Sequence, residues 1–151
     1  MRVLIYIFLS FNFTLLAQDN CNLDVEAAAK KHYNKAKRLA DGLRYSESIN
    51  NIKKALEIQS NYPNAYFLMG RIYELKKDMS NAKFYYEKTI EVCPMHSPLV
   101  YWFLASAEMD DKSFKQAKKY LNSYLEFLSL TEENKAMARQ KIKTAEFYDD
   151  M

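Results

Sequence analysis

The chain has 151 residues, with 22 Lys and Arg against 19 Asp and Glu, a formal net charge of +3, and 49% hydrophobic residues. That is enough for one domain with a core, and the slight charge excludes a protein that holds nucleic acid on a strongly basic face. Two glycines and three prolines leave little room for hairpins or phosphate-cradling loops, so the abundant Ala, Lys, Glu, Leu, Tyr and Met predict a nearly all-helical chain.

Residues 1–17 read as a secretory signal peptide. Arg2 is a short basic region, Val3 to Leu16 holds 11 apolar residues in 14, and Ala17 offers a small residue at the cut before Gln18-Asp19-Asn20. A spanning helix needs about 20 apolar residues, and Ser10, Asn12 and Thr14 interrupt this run. Lipidation requires a small residue directly before the modified cysteine, whereas Asn20 precedes Cys21. The expected product is an exported protein, localised to the periplasm or cell envelope, that begins with a leader over 18–23.

Helices follow in chain order. Asp24 to Asp41 forms the first, with Gly42 just past its end. Tyr45 to Ile58 carries Ile49, Ile52 and Leu56 at helical spacing. Pro63 suits the first turn of a helix to Lys77, because its missing N–H has no partner there in any case. Met79 to Val92 ends at Pro94. Ser97 caps a helix to Asp110, and Ser113 with Gln116 forms a capping box for a helix reaching Ser129. Thr131 caps a last helix, Glu132 to Tyr148, whose two first-turn glutamates suit the dipole.

One spacing organises these helices. Ser48, Ala82 and Ala117 stand 34 and 35 residues apart, as do Tyr45, Met79 and Phe114, and Ala36, Gly70 and Ala105. A period near 34 predicts stacked helix pairs: units at 24–60, 61–95 and 96–130, then a capping helix at 131–148 and a tail at 149–151. Lys135, Arg139, Gln140, Lys141 and Lys143 give that last helix the polar face a solenoid end requires.

The middle unit reads Tyr66-x2-Met69-Gly70-x2-Tyr73, then Ala82-x3-Tyr86, then Pro94, and so resembles the tetratricopeptide repeat. Gly70 and Ala82 are small enough to let the paired helices approach, while Tyr66, Tyr73 and Tyr86 fill the surrounding space. The outer units keep Ala36, Ser48, Ala105 and Ala117, but His32 and Leu39, and later Glu108, replace aromatics. The resemblance covers about residues 29 to 129. It implies an all-α solenoid of three tetratricopeptide helix pairs plus a C-terminal capping helix, a right-handed superhelix whose inner surface comes mainly from the first helix of each pair. The stretches "AYFLMGRIYE" and "EVCPMHSP", with the Ala-Gln junction and the early cysteine, are also similar to the N-terminal repeat module of Bacteroidetes envelope proteins, some of them associated with type IX secretion or carrying a domain like outer-membrane protein A. This chain stops at Met151, before any such domain.

No catalytic constellation is evident, so the chain is expected not to be an enzyme and to need no cofactor. Cys93-x2-His96 has the offset of half a metal clip, but Pro94 breaks the helix between the two and the remaining ligands of a tetrahedral site are missing, so no metal is expected. His32 reads as a packing histidine. Cys21 and Cys93 would reach an oxidising compartment; a mutual bridge, a bond to another chain and no bond all remain open.

Projected on the first helix of each pair, the inner face offers Lys30, Tyr33, Lys37 and Asp41, then Asn64, Phe67, Arg71 and Glu74, then Leu99, Trp102, Ser106 and Met109. Tyr33, Phe67 and Trp102 recur at one position, with Lys37 and Arg71 a turn further on. Aromatic and arginine side chains in a groove are the usual binding anchors. Some tetratricopeptide domains hold a chaperone C-terminus with a basic clamp. The three aromatics stand where several clamp residues would sit, which argues against that partner. Between Lys30 and Lys54 there are eight basic and two acidic residues, a solvated face or one that steers an acidic partner.

The expected function is a non-catalytic interaction module or assembly scaffold of the bacterial envelope. It would bind a peptide segment of another protein on its concave face, with no nucleic acid and no small-molecule substrate, within an envelope or outer-membrane complex. The alternatives are a soluble periplasmic adaptor, an accessory subunit of an envelope enzyme or secretion complex, and a structural homo-oligomer.

Overall fold

A computed structural model describes residues 24–151, so the signal peptide expected over 1–17, the leader expected over 18–23 and Cys21 lie outside the described residues. Among the described residues there are seven α-helices and no strand. We label them α1 (Ala27–Asp41), α2 (Tyr45–Ile58), α3 (Pro63–Leu75), α4 (Met79–Val92), α5 (Pro98–Asp110), α6 (Phe114–Leu125) and α7 (Glu132–Asp149). Helices α1 and α2, α3 and α4, and α5 and α6 pack as hairpins; α7 packs on α6, and α1 also touches α3. This is the expected α-solenoid of three helix pairs and a C-terminal helix. No described helix is long and apolar enough to cross a membrane.

The helix starts follow local chemistry. Asp78 and Thr131 accept hydrogen bonds from the backbone N–H groups of Asn81 and Asn134, at 3.2 Å each, which satisfies donors left over at α4 and α7. Ser97 caps α5 as expected, through Leu99 N at 3.3 Å. The Ser113–Gln116 capping box does not form: Ser113 makes no side-chain cap, and the N–H groups of Gln116 and Ala117 bond to its carbonyl instead. Helix α1 starts at Ala27 rather than Asp24, because the chain before it is tied to the end of α2. There Glu26 N donates to Gln59 Oε1 at 2.9 Å, and Gln59 Nε2 donates to the Asp24 carbonyl at 3.3 Å. Helix α3 ends at Leu75, two residues before the expected Lys77, and α6 at Leu125, four before Ser129.

Each hairpin turns on the same device. Leu43, Lys77 and Lys112, 34 and 35 residues apart, have φ of 58°, 63° and 60°. The next N–H returns to a carbonyl five residues back, Arg44 to Leu39, Asp78 to Tyr73 and Ser113 to Glu108, at 2.8–2.9 Å. This is the left-handed helix terminus that glycine usually supplies. Gly42 is not that residue: its φ is −86°, and Leu43 behind it takes the left-handed position.

The core falls into two clusters. One joins α1, α2 and α3 through Ala36, Ile52, Met69 and Ile72; the other joins α4 to α7 through Tyr86, Leu104, Ala105 and Leu121. Ser48, at a small-residue position, is buried and donates to the Ala36 carbonyl at 2.8 Å, so a hydroxyl is tolerated where its equivalents Ala82 and Ala117 have none. The closest approach within the middle pair differs from expectation. A Cβ on Gly70 would meet the Tyr86 ring at 2.7 Å, not Ala82. The opposed positions in the other units are Ala36 with Ile52 and Ala105 with Leu121, so glycine stands where the facing side chain is largest.

Candidate binding groove

Helices α1 and α3 lie side by side and leave a cleft of about 510 Å³ between them, closed at one end by the turn before α5. Five of the nine residues expected to bind line it: Tyr33 and Lys37 from α1, and Asn64, Phe67 and Arg71 from α3. Asp41, which the inner-face projection includes, also lines it, and Leu75, Ile72 and Leu68 supply apolar wall. Lys30 is exposed outside this cleft.

The aromatic side chains are half-buried and braced from behind. Tyr33 packs on Tyr62 at 5.1 Å between ring centroids. Burial raises the Tyr33 hydroxyl pKa, and burial together with Tyr33 pushes Tyr62 up to about 12, so both phenols stay neutral donors at physiological pH. Phe67 meets Tyr86 at 6.0 Å and, edge to face, His96 at 5.5 Å. Arg71 is held between Glu74, whose Oε2 lies 3.9 Å from Nε, and the Phe103 ring, 5.6 Å from its guanidinium carbon. Glu74 in turn accepts from the Tyr86 hydroxyl at 2.6 Å. The Gly70–Tyr86 approach, the Tyr86–Glu74 bond and the Arg71–Glu74 pair are therefore continuous, and one packing decision sets the groove's fixed cation. Lys37 is exposed, with a freer charge.

His96 was not among the expected groove residues, although it lines the cleft beside Ser97. Burial lowers its pKa, so the neutral ring is the form that faces Phe67. In the sequence its spacing from Cys93 drew attention as a metal clip. Its place in the turn that opens α5 was the better signal. Among the described residues no group of three or more His, Cys, Asp and Glu could hold a metal ion. Cys93 is buried at the C-cap of α4, and the partner considered for it, Cys21, lies outside the described residues.

The third aromatic rung is elsewhere. Leu99, Trp102 and Ser106 do not line the cleft. Trp102 packs against Tyr124 of α6 at 5.3 Å, and Lys141 of α7 sets its ammonium 5.2 Å from the ring centre. The helix that follows the last repeat thus covers the position that continues the ladder. Leu99 remains 46% exposed at the start of α5.

The family profile of the tetratricopeptide repeat matches residues 63–95, which are α3, α4 and the turn after them. No curated protein sequence matches the chain. Among solved structures, the chain is similar to the first tetratricopeptide domain of Spaghetti (RPAP3), determined with the HSP90 peptide SRMEEVD. The TM-score is 0.66 at 16% identity, over 80% of this chain and 98% of that one. The fold is therefore that of a tetratricopeptide α-solenoid, with the best-matching repeat in the middle.

Proposed function

We propose that this protein is a non-catalytic interaction module that takes a segment of another protein into the cleft between α1 and α3. The observation that carries the reading is the cleft itself, which gathers Tyr33, Phe67, Lys37, Asn64 and Arg71 from two successive repeats. Braced aromatic faces give apolar area at little entropic cost, Asn64 can bond to a peptide backbone, and the two cations favour acidic side chains. The solved neighbour, determined with a bound peptide, supports this mode of use for the fold. The signal-like leader supports action after export, as a scaffold in a bacterial envelope.

The ligand segment is short. Two rungs are open, and Trp102, with α7 over it, is not a third. A cleft of this kind binds with Kd around 1 μM, roughly −8 kcal/mol. The test is affinity capture from envelope extracts, then titration of the captured segment against Phe67→Ala, Arg71→Ala and Trp102→Ala, each confirmed helical by circular dichroism. Phe67→Ala and Arg71→Ala should each lose about 2 kcal/mol of affinity, as anchors do, while Trp102→Ala binds as the parent. Parent-like binding by the first two variants would remove the cleft as the site.

A further inference from the structure

A second pair of surfaces lies on the outer edge, away from the groove. Where the first turns of α4 meet the end of α5 there is a notch of about 370 Å³, and where the first turns of α6 meet the end of α7 there is one of about 710 Å³. They lie one repeat apart: the five residues that α4 gives the first, Met79, Ser80, Lys83, Phe84 and Glu87, have their counterparts at an offset of 35 in Phe114, Lys115, Lys118, Lys119 and Asn122 of the second. Their charge is opposite. Ser80, Phe84 and Glu87 of the first become Lys115, Lys119 and Asn122 in the second. The first is lined by Glu87, Asp110 and Asp111 against a single lysine, Lys83, which is engaged by the buried Glu108 and, at 3.8 Å, by Asp111, so the notch keeps a negative excess. The second is lined by four lysines and Asp149; Lys118 is paired with Glu146 at 3.7 Å, which leaves Lys112, Lys115 and Lys119 as its unengaged cations.

We propose that this edge is the contact between two copies of the chain, related by a two-fold axis that passes between the notches. Such an axis sets the basic notch of each copy on the acidic notch of the other, so one contact is made twice and both charges are answered. An unrelated acidic partner would satisfy one notch and be repelled by its neighbour. The edge also carries the apolar area a contact needs. Met79 and Phe84 are 47% and 50% exposed at the acidic notch, and Phe114 stacks on Tyr148 at 5.3 Å beside the basic one. The groove between α1 and α3 shares no lining residue with either notch and stays open in the pair.

Sedimentation equilibrium of the purified protein tests this at about 0.01 M and about 1 M salt, between which the screening length falls from about 30 Å to about 3 Å. A dimer is expected whose dissociation constant rises at least tenfold in high salt. Lys115→Glu with Lys119→Glu should be monomeric, and so should Asp110→Lys with Asp111→Lys. An equimolar mixture of the two variants should dimerise again, because each reversed notch then faces its reversed complement. That recovery also excludes misfolding as the reason for either monomer. A parent that stays monomeric in low salt overturns the proposal, as does a dimer indifferent to either charge reversal, a mixture that fails to associate, or growth beyond a dimer.

Discussion

Gly70 leaves no room for a side chain, and its neighbours cannot easily give way. The ring it faces is fixed on its other side by Phe103, stacked 5.2 Å away, and at its hydroxyl by Glu74. A methyl group at 2.7 Å from that ring must displace backbone or ring, and overpacking of this kind costs about 1–3 kcal/mol. Gly70→Ala is therefore expected to lower the unfolding free energy by that amount, read as a lower urea midpoint, even though alanine is the better helix former. An unchanged midpoint would show that α3 and α4 are not as close as described. Lys77 presents the opposite case. It is exposed and sits at positive φ, a conformation that costs a non-glycine residue about 1–2 kcal/mol. Glycine's greater freedom in the unfolded chain returns about 0.5–1 kcal/mol of that. Lys77→Gly should stabilise the protein by about 0.5–1 kcal/mol, read as a melting temperature a few degrees higher. A lower value would mean that the turn does not hold the left-handed geometry.

At the scale of elements, most boundaries were legible because each has a local cause. Pro63 and Pro98 open helices, Thr131 caps one, and the small residues at 36, 70 and 105 keep the period. What escaped depends on contacts between elements. Gly42 looked like the helix terminator because glycine is the usual left-handed residue, yet the hydrogen bonds of the turn put Leu43 there. The groove was half legible: position within the repeat found Tyr33 and Phe67, but only the placement of α7 takes Trp102 out of the cleft. Glu108 read as a missing aromatic. Its function is to join units, since it is 5% exposed on α5 and meets Lys83 Nζ of α4 at 2.5 Å. The hydrogen bond to Glu108 is the main reason the Lys83 pKa is raised above 10.5. A raised folded-state pKa makes the ammonium form stabilising below the unfolded value, and that contribution is lost as pH rises through the folded one. Lys83→Met should cost about 2 kcal/mol at pH 7, within the range for a hydrogen bond between charged groups. The gap between parent and variant in denaturant midpoint should then close above pH 10.5. A gap that persists unchanged in alkali would mean that the pair contributes through packing rather than charge.

At the scale of the molecule, the two core clusters decide how the stack comes apart. The first unit and α3 share one cluster and α4 to α7 share the other. The middle pair is where they meet, through the Gly70–Tyr86 approach, the Phe67–Tyr86 contact and the Tyr73–Tyr85 stack, whose ring centroids are 5.4 Å apart and nearly parallel. In a solenoid each unit feels only its neighbours, so stability is a sum of unit terms and interface terms rather than one global quantity. Ile52 is fully buried in the first cluster, and truncating such a side chain costs about 2–5 kcal/mol. Ile52→Ala should therefore act locally. Amide exchange is expected to accelerate throughout α1 and α2, less in α3, and hardly at all in α6 and α7, where Leu121 and Tyr124 remain packed. The groove then has a stability of its own, set by its weaker wall, because α1 supplies Tyr33 and Lys37 while α3 is braced by the second cluster. Ligand bound across α1 and α3 should restore exchange protection to α1 and α2 of the variant, since binding only the folded form shifts the local equilibrium by mass action. Uniform loss of protection along all seven helices would instead make the chain a single cooperative unit, with the middle pair a rigid coupling rather than a seam.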